Sequence, residues 1–520
     1  MRIAPLMLIA LLPGAALADD LAARCAALGK SGLDDVHVTA ARIESAPARH
    51  CLVQGDFERR TGADGKPYAI RMELRLPDDW NGRLLFQGGG GMNGFVAPAL
   101  GGDINAQSSR PTALARGFAV VSTDTGHVAA NGADASFARD QQAKLNYAYA
   151  AIGKVALRAK ALTAALGGRA PAHSYFMGCS NGGREGMLMA QRYPTLFDGV
   201  LVSNPAFNLR DAAVLSYATG KAYDRASGGA AARYVTPAEG ALIRGALLDK
   251  CDALDGARDG MIFDHAACRF DVRTLACKPG QPAGTCLAPA KADAIARAFQ
   301  GPLDASGKPR FTPWTWDASV FTPGWLGWQT GGVNPDGSTN TGLRDLVASS
   351  LTGYFAYPPI DPASLTGGED DVERLLRASE QTAAWTDATS TDLGTFAARG
   401  GKLMLIDGWS DPIFSADDLV RWHERLAADM RQAGGKPADD VARLFMVPGM
   451  THCAGGNALD DMDGLSALVK WVEHDDAPAY LTATGRAFPG VSRPICAWPK
   501  IARYKGKGAL DDAASFACER

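Results

Sequence analysis

A serine set between two glycines, Gly178-Cys179-Ser180-Asn181-Gly182, constrains this chain more than any other stretch. It fits G-x-S-x-G, follows the strand-like run Ser174 to Met177 and precedes Arg184 to Tyr193, where apolar residues recur at helix spacing. A strand-to-helix turn this sharp needs small residues two positions either side of the serine. It leaves the serine Oγ exposed at the carboxyl edge of a sheet. The chain around such a turn must therefore supply more strands and covering helices.

It does. Ile70, Met72, Leu74 and Leu76 alternate with Arg71, Glu73 and Arg75, the period of a strand with one wet face. Short apolar runs follow at Arg83 to Phe86, Phe118 to Ser122 and Val200 to Ser203, with a helical pattern over Lys154 to Leu166. The same texture returns late, as a strand at Leu403 to Ile406, a helix over Ala416 to Arg431 and a strand at Leu444 to Val447. Alternating strands and helices imply an α/β fold whose parallel sheet is covered on both faces.

Between about Asn208 and Ser390 the texture changes. Strand-like runs become scarce, and Trp314, Trp316, Trp325 and Trp328 crowd together. The organisation expected is a core from residues 19–207 and 391–520 with a second domain, 208–390, inserted between two sheet strands. The 59 Gly and 29 Pro are spread along the chain, which suits many tight turns. The formal charge of -3 offers nothing to hold a phosphate backbone, so no nucleic-acid partner is expected.

Arg2, the apolar run Ile3 to Leu12 and the small residues Ala16-Leu17-Ala18 read as a leader over 1–18, cleaved before Asp19. Other apolar runs fall short of the ~18 residues that a bilayer span needs. The chain is therefore expected to be exported and to carry no membrane span. Export makes disulfides the default for its ten cysteines. Near neighbours are Cys25 with Cys51, Cys251 with Cys268, Cys277 with Cys286 and Cys496 with Cys518, which leaves Cys179 and Cys453.

A serine nucleophile needs a base, and a serine-first elbow puts an acid and then a histidine later in the chain. Asp411 follows the strand Leu403 to Ile406, and His452 follows the strand Leu444 to Val447. Both sit in loops off strand ends, where catalytic groups of open α/β sheets collect. His423 and His474 fall in helix-like stretches and read as surface residues; Asp407 is the rival acid. Cys179 directly precedes Ser180 and Cys453 directly follows His452. A bridge between them, with Cα atoms ~4.4–6.8 Å apart, would hold the nucleophile and base loops together.

Acyl transfer also needs amide donors for the oxyanion. Gln87-Gly88-Gly89-Gly90-Gly91 follows the strand Arg83 to Phe86, so Gly91 and Asn181 are the candidate donors. A phosphate-cradling loop is the alternative, but no Gly-Lys-Ser/Thr follows. Asp252, Asp255 and Asp259 lie beside two glycines at spacings of three and four, a pattern open to either a hard cation or a solvated acidic turn.

Together these residues resemble the tannase and feruloyl esterase family, marked by a cysteine before the serine, a cysteine after the histidine and a disulfide joining them. The likeness runs from about Cys25 to Cys518. It includes Gly178 to Gly186, the Cys251 to Gly260 loop, Thr389-Ser390-Thr391-Asp392-Leu393, Val447-Pro448-Gly449-Met450 and Arg503-Tyr504-Lys505-Gly506. The resemblance implies an α/β-hydrolase fold with a large inserted lid domain carrying the substrate pocket. It also implies a structural lid Ca2+ held by Asp252, Asp255 and Asp259 with the carbonyls of Ala257 and Met261.

Within the family the chain looks closest to terephthalate monoester hydrolases, where a lid arginine grips the free carboxylate and a phenylalanine stacks on the ring. Here Gly342 stands at the arginine position, Arg344 lies two residues on, and Leu346 replaces the phenylalanine. Asn181 replaces an acid after the serine, and Asp407 replaces a histidine. Trp328 and Phe414 match aromatic pocket positions. The function expected is an exported serine esterase acting on small aromatic esters, feruloyl or galloyl in type, through an acyl-enzyme and with no organic cofactor. A terephthalate monoester substrate and a calcium-dependent binding protein on a hydrolase scaffold are the competing expectations.

Overall fold

The computed structural model of the chain describes residues 13–31, 33, 35–102, 108–282 and 284–520, with the backbone alone at 13–19, 31, 342, 344 and 345. The expected leader falls largely outside the described residues; helix α1 (Pro13–Ser31) begins within its last part. Nine strands form the central sheet: β1 (His37–Glu44), β2 (His50–Thr61), β3 (Pro67–Pro77), β4 (Arg83–Gln87), β5 (Ala119–Thr123), β6 (His173–Cys179), β7 (Gly199–Ser203), β8 (Lys402–Gly408) and β9 (Ala442–Val447). Their order is β1-β2-β3-β5-β4-β6-β7-β8-β9.

From β5 to β9 every neighbouring pair is parallel, as the alternation of strand and helix requires. The other end of the sheet departs from a wholly parallel expectation: β1, β2, β3 and β5 pair antiparallel. The connections at 45–49 and 62–66 are too short for a crossover helix, so these strands turn back as hairpins. Glu73, on the expected wet face of β3, is buried and accepts from Gln54, Arg75 and the amide of Ala99.

Alternate residues of the parallel strands enter two different cores. Phe86, Phe176, Val202, Leu405 and Leu444 pack with α2 (Ala151–Gly167), α3 (Asn181–Arg192) and α8 (Ala416–Gln432) on one face. Leu85, Met177, Leu201, Ile406 and Phe445 pack with α9 (Gly464–His474) on the other. His423, expected at the surface, is instead buried, with its ring nitrogen 3.4 Å from the Ala442 carbonyl. It sits on the inward stripe of α8 beside Leu419 and Leu426, where helix periodicity outweighs side-chain polarity.

Between β7 and β8 the chain gives the central sheet no strand among the described residues. Helices α4 (Leu209–Ser227), α5 (Pro237–Cys251), α6 (Gly342–Ser349) and α7 (Glu369–Thr386) lie in this insert. α5 starts at a capping box, in which Thr236 and Glu239 each satisfy the other's backbone amide, with Pro237 as first helical residue. Trp314 and Trp325 join Tyr223, Ile243, Leu247 and Phe299 in a core of the insert's own. Trp316 stacks on Phe299 at 3.7 Å. Trp328 faces elsewhere, toward the end of the sheet. All ten cysteines are bridged, as Cys25–Cys51, Cys179–Cys453, Cys251–Cys268, Cys277–Cys286 and Cys496–Cys518.

Candidate active site

Ser180 sits at the turn from β6 into α3 with φ 59° and ψ −123°, a conformation that costs a non-glycine residue about 1–3 kcal/mol. The surroundings hold it there: its amide donates to the Ser203 carbonyl (3.1 Å), and its carbonyl accepts from Arg184 (3.1 Å) and Ala206 (3.0 Å). A Cβ on Gly178 would stand 2.7 Å from the backbone of Gly182, and one on Gly182 would stand 2.6 Å from the carbonyl oxygen of Gly89. The two glycines of the motif thus let the turn close on itself and let the Gly88–Gly91 loop lie against it.

Asp411 and His452 lie beyond the ends of β8 and β9. His452 Nδ1 is 2.9 Å from Asp411 Oδ2, which orients the ring and leaves Nε2 to accept a proton. The Asp411 carboxyl is fully engaged: Oδ1 accepts from the amides of Ile413 (2.7 Å) and Phe414 (3.1 Å), and Oδ2 also accepts from Asn204 Nδ2 (2.8 Å). The imidazole lies edge-on between Trp328 (5.5 Å) and Phe414 (5.4 Å). The Cys179–Cys453 bridge brings the residues flanking Ser180 and His452 to a Cα separation of 5.9 Å.

Asp407 is placed differently. Its carboxyl accepts from Asn204 Nδ2 and the Gly408 amide, both at 2.8 Å, inside the sheet end. Burial, and next the charge of Asp411, push its pKa well above the usual carboxylate range, which favours the protonated form. Asn204 bridges the two carboxyls with one amide group.

Gly91 has φ +55°, and a Cβ there would meet the Gly132 carbonyl oxygen at 2.7 Å, so only glycine fits. The Asn181 side chain faces away from the serine into a buried network. It donates to Asn93 Oδ1 (2.8 Å) and Glu185 Oε1 (3.1 Å) and accepts from Arg184 Nε (2.7 Å). Glu185 also accepts from Asn93 Nδ2 (2.7 Å) and the Gly89 amide (3.0 Å), and burial foremost raises its pKa. The Tyr147 hydroxyl lies 3.1 Å from the Gly91 carbonyl and 3.2 Å from Asn181 Oδ1. Asn93, Tyr147, Glu185 and Asn204 escaped the sequence reading.

Ser180, Gly91 and Asn181 open onto a small, mostly apolar cleft of about 60 Å3. Trp328, Leu346, Val347, Ile413 and Phe414 line it, so three of the four expected pocket residues meet there. The side chain of Arg344, on α6, lies outside the described residues.

The acidic loop folds on itself. Asp252 accepts from the amides of Asp259 and Gly260, Asp255 Oδ1 from Ala257, and Asp259 from Met261 and from Arg493. Among the described residues no three His, Cys, Asp or Glu side chains converge as a metal-holding group. One observation favours a cation: Asp255 Oδ2 is buried with no hydrogen-bond partner, and desolvation raises its pKa to about 7.

The family described as "Tannase and feruloyl esterase" matches residues 51–519. Mono(2-hydroxyethyl) terephthalate hydrolase of Piscinibacter sakaiensis is 36% identical over 95% of this chain and 91% of that protein. The probable feruloyl esterase B of Aspergillus clavatus is 28% identical over 99% of each. Among solved structures, feruloyl esterase B from Aspergillus oryzae superposes with a TM-score of 0.78 at 24% identity, covering 96% of this chain and all of that one. Tannin acyl hydrolase from Aspergillus niger gives 0.73 at 20% identity, covering 97% and 94%. These structures establish the α/β-hydrolase fold. The chain belongs to the tannase and feruloyl esterase family, a family of carboxylic ester hydrolases.

Proposed function

We propose that this protein is an exported serine esterase that hydrolyses esters of aromatic carboxylic acids, feruloyl or galloyl in type, through an acyl-enzyme on Ser180. One observation carries the reading: His452 bonded to Asp411 at 2.9 Å is tethered by disulfide to the strained serine turn, in front of an apolar, aromatic-lined cleft. Ser180 Oγ attacks the ester carbonyl carbon while His452 Nε2 takes its proton. The amides of Gly91 and Asn181 receive the oxyanion. The C–O bond to the alcohol then breaks, and His452 returns the proton to the departing alcohol. Water repeats the sequence on the acyl-enzyme, releasing the acid and restoring Ser180.

In this reading residues 208–390 are a lid domain that supplies Trp328 and Leu346 to the acyl pocket. Ca2+ on the Asp252 to Met261 loop is a structural ion: Asp255 Oδ2, with no partner of its own, would ligate it, and its charge would favour the ionised carboxyls. The leader over 1–18 and the five disulfides fit an oxidising compartment. The 36% identity to the terephthalate monoester hydrolase supports a second reading with the same mechanism and that substrate. A panel of methyl ferulate, methyl gallate and mono(2-hydroxyethyl) terephthalate tests both. The first reading expects kcat/KM to be highest for one of the two methyl esters; preference for the monoester establishes the second, and turnover of none of them refutes both.

A further inference from the structure

The insert reaches the catalytic loops at a buried point around Asp317. Asp317, fully buried, places a single carboxyl oxygen, Oδ2, 2.7 Å from both Ser410 Oγ and the amide of Gly449. Ser410 is the residue before Asp411, and Gly449 opens the loop that carries His452. The other oxygen of Asp317 lies 3.1 Å from His265 Nε2, and the His265 ring stacks at 4.2 Å on Trp409, the residue before Ser410. Two residues on, Ser319 repeats the pattern. Its amide donates to Ser410 Oγ (3.1 Å), and its hydroxyl donates to the Gly449 carbonyl (2.7 Å) and accepts from the Asn457 amide (2.7 Å). Gly449 admits no side chain, because a Cβ there would meet the Asn457 carbonyl oxygen at 1.8 Å.

We infer that Asp317, with Ser319 and His265, is a clamp that sets the spacing of the Asp411 and His452 loops, making Asp317 a positioning residue for the reaction although it belongs to the insert. The distance between acid and base depends on where two separate loops stop. One carboxyl oxygen shared by a donor from each loop couples the two positions directly. A lid needed only to hold substrate would have no reason to place a buried carboxyl there. Removing it leaves the buried Ser410 hydroxyl and Gly449 amide without their acceptor, and both loops must readjust. This inference rests on the triad reading above.

The test is steady-state kinetics on a small activated ester, p-nitrophenyl acetate, with Asp317→Ala, Ser410→Ala and Asp411→Asn and the pair Asp317→Ala/Asp411→Asn, all in the full-length protein. Such an ester barely fills the lid pocket, so a substrate-binding role for Asp317 would move little. Asp317→Ala, which removes the shared acceptor, is expected to lower kcat at least tenfold with KM within about threefold of wild type. Ser410→Ala, which deletes one of the two donors, is expected to lower kcat less but in the same way. In the Asp411→Asn background the Asp317→Ala substitution should cost under threefold more, because both act through the same pair. Additive losses, or a fall in activity matched by a fall in folded fraction with kcat per folded molecule unchanged, would overturn the clamp. Thr219→Val, which removes the bond from Trp314 inside the insert, calibrates purely structural loss. Ser180→Ala measured alongside separates the two claims: if it keeps full activity, the triad reading fails whatever Asp317 does.

Discussion

Opening the Cys179–Cys453 bridge, by Cys179→Ala with Cys453→Ala, should damage catalysis far more than it damages the fold. The bridge closes a span of 274 residues, for which loop-closure entropy gives about 5–6 kcal/mol of stabilisation. Two further bridges, Cys251–Cys268 and Cys277–Cys286, lie within that span and already restrict the unfolded chain, which lowers the figure. Ser180 and Cys453 both have positive φ, 59° and 67°, and release of that strain returns about 1–3 kcal/mol at each. The net loss of stability is therefore about 4 kcal/mol at most, and less where the strain released is at the upper end of its range. The catalytic loss is larger, because relaxation at two loops displaces Ser180 Oγ from His452, and a displacement of about 1 Å costs on the order of 100-fold in rate. Thermal melting and kcat on an activated ester, measured on the same preparation, check this. A variant with wild-type kcat, or one whose kcat falls only in step with its folded fraction, would refute the reasoning.

Ser180→Ala and His452→Ala should each cut kcat by about three orders of magnitude or more without loss of fold, since triad members act as a unit. Asp411→Asn should be severely impaired and Asp407→Asn much less, because Asn204 and the Gly408 amide, not His452, bond Asp407. Equal losses at the two aspartates, read from kcat, would mean that the acid is wrongly assigned. Asp407 also sets a pH dependence. Its folded pKa lies above the unfolded value, so it keeps a proton the unfolded chain releases, and its stabilisation is full below the unfolded pKa and lost as pH rises through the folded one. Asp407→Asn should accordingly flatten the decline of urea midpoints toward alkaline pH; an unchanged slope would contradict this. Chelation should lower the melting temperature and added calcium restore it, while Asp255→Ala makes the protein indifferent to both; unaltered melting in every case, with no calcium found by elemental analysis, leaves a plain acidic turn.

The parts of this site that could be read in the sequence are those fixed by local geometry. Gly178 and Gly182 are small because the turn closes to within 3 Å of them, and that requirement sits inside five residues. The strands from β4 to β9 announce themselves as apolar runs because both faces are covered. What stayed hidden depends on contacts between distant segments. The direction of β1 to β3 follows from connection length more than from strand pattern. Glu185 reads as an ordinary helix acid until the Gly88–Gly91 loop is laid against it. Asp317 lies more than 90 residues before the loops it bonds, in a tryptophan-rich stretch whose composition points to packing alone. His423 shows the converse failure, a polar residue on an apolar helix stripe.

The central claim is that Ser180 forms the covalent intermediate, and labelling with a fluorophosphonate followed by peptide mapping tests it most directly. The account predicts one phosphonyl group per chain, on the peptide containing Ser180, with esterase activity lost in proportion to labelling and no label on the Asp411→Asn variant under matched exposure. Full activity after exhaustive exposure, or inactivation with the label on another serine, would contradict it.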